Sequence, residues 1–382
     1  MSNQNSLSKV LPVLFGFFIM GFVDVVGIST SYVQNDFGLS DTVANFLPMM
    51  VFLWFFVFSV PTGLLMNKIG RKNTVLLSMV ITFFAMLLPL IAYSYAMALV
   101  AFALLGVGNT ILQVSLNPLV SNVVTKDQLT SRLTLGQFIK AISAFLGPII
   151  AGFAAATLGN WKMLFPLFAA VTLFSGIWLW VVPIAKDERI EQTTSFKEVF
   201  DLLKDRTILL LFLGILFVVG VDVGMNMSTP RFLMERLELP LEQAGLGTSL
   251  YFAARTAGAL TGAILLAHLS AMRFFKVSML SAIAAMIVML ITHNNILVWI
   301  LIAVIGFAIA NIFSIIFSMA LQRLPKRGND ISGLMIMGVS GGAVLPPLMG
   351  VASDAIGQTG GMLVILGAMF YLLFAAYKVK VE

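Results

Sequence analysis

Twelve apolar stretches, most of them about twenty residues long, follow one another along this chain. Their limits fall roughly at 10–34, 42–66, 74–94, 97–122, 131–157 and 161–184, then at 207–233, 242–267, 277–293, 296–322, 331–354 and 360–377. An α-helix needs about 20 apolar residues to cross the hydrocarbon core of a bilayer. Lipid offers no partner to backbone N–H and C=O groups, so such a stretch must bond within itself, as a helix does. Composition agrees: 10% of residues are charged, against about 25% in soluble domains, and 59% are apolar. The predicted fold class is an all-α membrane protein with twelve transmembrane helices and the lipid bilayer as partner. The absence of cysteine excludes disulfides and thiolate metal sites. The first stretch is too long for a signal-peptide core, and no small-residue cleavage site follows it.

Charge is organised by topology. With a cytoplasmic N-terminus, 18 of the 23 Lys and Arg fall on the cytoplasmic side and three, Lys162, Arg231 and Arg236, on the other. The remaining two, Lys140 and Arg255, lie inside spans. The net charge of +6 is therefore a positive-inside signal, and no nucleic-acid partner is expected. Both termini are expected in the cytoplasm, with the chain a monomer in a bacterial inner membrane. One long charged connection, 185–206, divides the spans into a bundle over 1–184 and another over 207–382.

The two bundles repeat. DFGLSDTVANF, from residue 36, resembles RLELPLEQAGL, from residue 236, at an offset of 200. TGLLMNKIGRK corresponds to TGAILLAHLSA, and GPIIAG to LPPLMG. Two parallel six-helix repeats joined by a cytoplasmic loop resemble the major facilitator superfamily, which implies a midplane site between rocking halves. Residues 63–72, GLLMNKIGRK, resemble that superfamily's G-x-L-x-D-R-x-G-R-K loop, with Gly63, Asn67, Gly70, Arg71 and Lys72 at the motif positions. Asn67 stands where the motif has Asp, and the loss of that acid is expected to weaken a charge-relay latch.

LQVSLNPLVSNVV, RLTLGQFIKAISAFLGPIIAG and SGGAVLPPLMGVASDAIG resemble the fucose–galactose–glucose:proton symporter family. The resemblance implies that Asp24 takes part in proton coupling and sugar contact. It also sets Gln113 where that family has a helix 4 acid, and Lys140 where it has an amide.

The intramembrane polar residues point the same way without the family. Asp24 lies about 14 residues into the first span, or ~21 Å at 1.5 Å per residue, near mid-bilayer. Lys140, Asp222 and Arg255 fall at similar depths in spans five, seven and eight, and the four charges sum to zero. Charges this costly generally face a cavity or each other. Asp24–Lys140 and Asp222–Arg255 are each either a structural ion pair or part of a working site. In the working version Asp24 is the protonatable coupling group, with Lys140 beside it, and the coupling ion is a proton rather than sodium. Two cations also suit an anionic substrate such as a sugar acid. Gln113, Asn117, Gln137, Asn226 and Asn311 add amides for hydroxyl-rich ligands, and Trp54 and Tyr251 add flat rings. The substrate-binding set is thus Asp24, Gln113, Asn117, Gln137, Lys140, Asp222, Asn226, Tyr251, Arg255 and Asn311. His268 and His293 lie at span ends and form no metal pair. No phosphate loop, nucleotide motif or hydrolytic constellation occurs, so neither an enzyme nor a cofactor is expected. The functional expectation is import of a sugar or sugar derivative by proton symport. The alternative is a proton-coupled exporter of drugs or metabolites.

Overall fold

The computed structural model describes residues 7–39, 43, 46–184, 195–239 and 241–379. Of the expected linker 185–206, residues 185–194 lie outside these. Among the described residues the regular structure is helical. Eleven segments are long and apolar enough to cross a membrane. The helix Leu241–Leu265 makes a twelfth of spanning length. It carries Thr248, Arg255, Thr256 and Thr261 with four glycines, which dilute its hydropathy below that of the others.

By internal contacts the chain divides into two compact units. The first contains Met1–Arg132, Gly136–Phe200 and Pro325–Met337; the second contains Leu133–Leu135, Asp201–Leu324 and Gly338–Glu382. A short segment at the start of the eleventh span thus belongs by contact to the first unit, and three residues of the fifth span to the second.

In the first unit the fourth span, Tyr95–Val120, is the central post, with every residue from Gly108 to Val120 buried. The second span, Phe46–Ile69, packs on it where a Cβ at Gly106 would lie 2.5 Å from the Val51 carbonyl. The third span, Arg71–Ile91, follows the second after Gly70 alone, whose φ of +82° suits glycine and lets the chain reverse. The fifth span, Leu129–Leu158, runs beside the first, in contact at Phe17–Gly136, Gly21–Lys140 and Val25–Gly147.

The first span is not one helix. Leu7–Met20 is α-helical, Gly21–Val25 winds as a 3-10 helix, and Val26–Phe37 resumes the α-helix. Asp24 sits in the 3-10 segment. Two further spans are interrupted: the tenth between Ile309 and Ile312, and the eleventh by a 3-10 turn at Gly338–Ser340.

In the second unit the seventh span, Arg206–Leu237, starts on an Asp205 cap that accepts from the Thr207 and Ile208 amides at 2.7 and 3.3 Å. Its far end fixes two neighbours. Glu235 accepts from the Gln358 amide at the start of the twelfth span, and Arg236 donates to the Leu290 and Thr292 carbonyls ending the ninth. These charges satisfy helix ends that lipid would leave bare.

Candidate functional site

Among the described residues Asp24 has neither a hydrogen-bond partner nor an ion-pair partner, and its side chain is exposed. The expected Asp24–Lys140 pair is not closed. The backbones touch, since a Cβ at Gly21 would lie 2.6 Å from the Lys140 carbonyl oxygen, yet no Lys140 nitrogen comes within 4.0 Å of the carboxylate. The reason is local: the 3-10 winding changes the direction in which residue 24 leaves the helix. Lys140 and Gln137, half-buried on the fifth span, likewise make no side-chain bond among the described residues. Spans one and five therefore present an acid, a cation and an amide with unspent polar atoms.

The second charged pair is closed. Arg255 Nε lies 3.1 Å from Asp222 Oδ1, with side chains 34% and 20% exposed. Tyr251, fully buried, donates its hydroxyl to the same oxygen at 2.8 Å. Tyr251 is thus a buried support for Asp222, and its ring is not the stacking surface expected from sequence. One turn beyond Asp222, Asn226 is exposed, and its carbonyl accepts from Thr248 at 3.2 Å.

The other expected amides are built into helix contacts. Gln113, 6% exposed, donates to Asn109 Oδ1 at 2.7 Å, and Asn109 donates to the Met20 carbonyl at 2.8 Å. Asn117 donates to the Gln113 carbonyl at 2.7 Å. Asn311, 0% exposed, donates to the Gly258 carbonyl at 2.9 Å and packs on Gly262. Trp54 packs on Gly106 and Phe58, with its indole nitrogen buried. Sequence depth alone put these residues near the midplane. It could not say that the NH2 groups of Gln113, Asn117 and Asn311 already donate to other protein groups. Asn109 was missed, although it stands one turn before Gln113 on the same face.

The loop motif organises a polar cluster within the first unit. Asn67 donates to Asp330 Oδ1 and accepts from Asn329 Nδ2, both at 2.8 Å. Arg71 donates to Asn329 Oδ1 at 2.7 Å, and to Asn122, Ser121 and the Pro118 carbonyl at 2.5, 3.1 and 3.2 Å. Arg327 holds the other oxygen of Asp330 at 3.0 Å, and Ser332 donates to the Val114 carbonyl. Gly63 is required by contact: a Cβ there would lie 2.8 Å from the Asn329 carbonyl. Lys72 caps the end of the sixth span, Leu164–Val181, through the Trp180 and Val182 carbonyls at 2.9 and 2.8 Å. Asn67 stands where the motif has Asp, and an acid is nonetheless present in the cluster as Asp330, bonded to Asn67 and Arg327. By sequence Asp330 lies just before the eleventh apolar stretch, 331–354.

Comparison with known proteins sets this architecture among transporters. The Major Facilitator Superfamily profile matches residues 13–347. The chain is 26% identical over 375 residues to a glucose/galactose transporter of Brucella abortus, covering 94% of this chain and 90% of that protein. It is 26% identical over 389 residues to a putative glucose/galactose transporter of Helicobacter pylori, covering 95% and 94%. Among solved structures, the transporter FucP in its outward conformation superposes with a TM-score of 0.88 at 16% identity, with 100% of each chain covered. At that identity the likeness is one of fold. With eleven apolar spans and a twelfth helix of spanning length among the described residues, a repeat at an offset of 200 and a profile match over most of its length, this chain is a transporter, not an enzyme, and belongs to the Major Facilitator Superfamily.

Proposed function

We propose that the chain imports a sugar by proton symport with alternating access, and that Asp24 is the carboxyl that couples proton to sugar. The observation that carries this reading is the contrast between its two charged pairs. Asp222 is held by Arg255 and Tyr251, whereas Asp24 is exposed and unbonded among the described residues. A carboxyl with no fixed partner is able to take up and release a proton at little structural cost, and a charge kept at mid-span generally serves transport. The relatives from Brucella abortus and Helicobacter pylori, called glucose/galactose transporters, support the sugar. The solved fucose:proton symporter FucP supports the coupling ion.

A neutral sugar is favoured, because Asp222 already offsets the charge of Arg255. Exposed Asn226 and the remaining oxygen of Asp222 suit hydroxyl groups, with Gln137 and Lys140 doing the same beside Asp24. An acidic sugar is the second reading. It rests on Lys140, which has no carboxylate within 4.0 Å among the described residues. Under either reading the chain works as a monomer in a bacterial inner membrane, with both termini cytoplasmic.

Reconstitution in vesicles with an imposed pH gradient tests the coupling. Asp24→Asn should abolish uphill accumulation of D-galactose or D-glucose while sparing exchange. Accumulation at the wild-type level in that variant would overturn the reading. A thermal-shift screen with D-galactose and D-galacturonate separates neutral from acidic substrates, since a ligand that binds the native state raises Tm.

A further inference from the structure

Asp24 owes its direction to a short stretch of altered winding, and the residue that holds this stretch lies on another span. A 3-10 helix turns about 120° per residue and an α-helix about 100°. Over the four steps from Met20 to Asp24 the difference amounts to roughly 80°, enough to move a side chain from one face of a span to the next. Residues 21–25, GFVDV, contain no proline, so nothing in their covalent structure imposes the change. The cause lies in their neighbours. Gly21 is pressed against the Lys140 carbonyl and Ser143 on the fifth span. From the fourth span Asn109, 2% exposed, donates its amide to the carbonyl of Met20, the last residue before the break. The other end of that amide is also fixed, because Asn109 Oδ1 accepts from Gln113. Gln113 thereby decides which way the Asn109 amide faces. An ionised glutamate at 113 could not donate, and Asn109 would lose the partner that aims its NH2 group at Met20.

We propose that Asn109, oriented by Gln113, is a positioning residue for Asp24. It stabilises the 3-10 segment and so keeps the Asp24 side chain turned to the aqueous side of the span. The idea builds on the reading of Asp24 as the coupling carboxyl, and its test is independent of transport.

The chain contains no cysteine, so Asp24→Cys introduces a unique thiol. Its labelling rate with a charged, water-soluble thiol reagent, on purified full-length protein in detergent, reports which way position 24 faces. Asn109→Leu and Asn109→Asp, each combined with Asp24→Cys, should slow labelling by about tenfold as closed orientations become dominant. Asn109→Gln, which can still donate, should label near the parent rate. A reference thiol from Asn226→Cys, in the second unit, should keep its rate in every background, which separates a local reorientation from general loosening. A folded Asn109→Leu protein whose residue 24 labels at the parent rate would overturn the proposal. If that variant does not fold, Gln113→Met takes its place, and an unchanged rate there overturns the proposal equally. Failure of Asp24→Asn to affect uphill uptake would instead remove the coupling role and leave the labelling result standing.

Discussion

Asn67 and Asp330 share a hydrogen bond of 2.8 Å although 263 positions separate them in sequence. The carboxylate is 2% exposed and has Arg327 on its other oxygen. An amide at 67 suits this acid, because it donates to Asp330 while accepting from Asn329. Asn67→Asp would restore the superfamily pattern and place two carboxylates together in a buried site. The expected result is a lower Tm, with a cost of roughly 2–3 kcal/mol. Adding Asp330→Asn should recover much of that loss by exchanging the two roles. Thermal melting of the two variants checks this, and an Asn67→Asp protein as stable as the parent would contradict it.

Asn311 and Gly262 form a second tightly fitted contact. A Cβ on Gly262 would overlap the Asn311 amide, and Asn311 spends its NH2 on the Gly258 carbonyl. Gly262→Ala should therefore destabilise the second unit by about 1–3 kcal/mol through overpacking. Asn311→Ala alone should cost about 1 kcal/mol for the lost hydrogen bond. The double variant should be more stable than the sum of the two predicts, since the second change makes room for the first. Additive melting shifts would show that the contact is not under compression.

These cases mark how far sequence reached. The spans were legible because run length and hydropathy are properties of the chain itself. Even Leu241–Leu265, whose polar residues lower its hydropathy, was legible as the apolar stretch 242–267. Depth along each span was legible for the same reason, so the four midplane charges were found. Azimuth was not, because it depends on neighbours. Asp222–Arg255 closes and Asp24–Lys140 does not, and Asp24 lies in the 3-10 segment Gly21–Val25. GFVDV reads as ordinary helix, and the groups that meet its start, Asn109 at Met20 and Lys140 at Gly21, come from spans distant in sequence. The amides at 113, 117 and 311 were found by type and depth, while their burial and the bonds their NH2 groups make were not legible. Residue type and depth mark a polar side chain, and they say nothing about whether its bonds are taken.

Asp222, Arg255 and Tyr251 should behave as a coupled set. Removing Arg255 alone leaves a partly buried carboxylate with a phenol as its remaining contact from this group. Arg255→Gln is thus expected to cost more than the double change Asp222→Asn with Arg255→Gln. Because both side chains are partly exposed, the coupling energy should be about 1–2 kcal/mol, below that of a dry pair. A double-mutant cycle read by thermal melting measures it. A coupling near zero would reduce the pair to a passing contact.

Tyr93 offers a test by pH. It lies between spans three and four and donates its hydroxyl to Asp36, which also accepts from the Trp161 indole at 3.0 Å. Lys162 covers its ring, 3.9 Å from the centroid. Burial, followed by the hydrogen bond and charge of Asp36, raises the phenol well above its ordinary pKa of 10.0. A group whose folded pKa is raised stabilises the fold fully below its unfolded pKa, and that contribution is lost as pH rises through the folded value. Melting of the parent protein should therefore be supported by Tyr93 at pH 8 and should decline above about pH 10. Tyr93→Phe should melt lower at pH 8, lacking the bond to Asp36, and should lose less on going from pH 8 to about 11. Parallel declines in the two proteins would show that this phenol does not link its proton to stability.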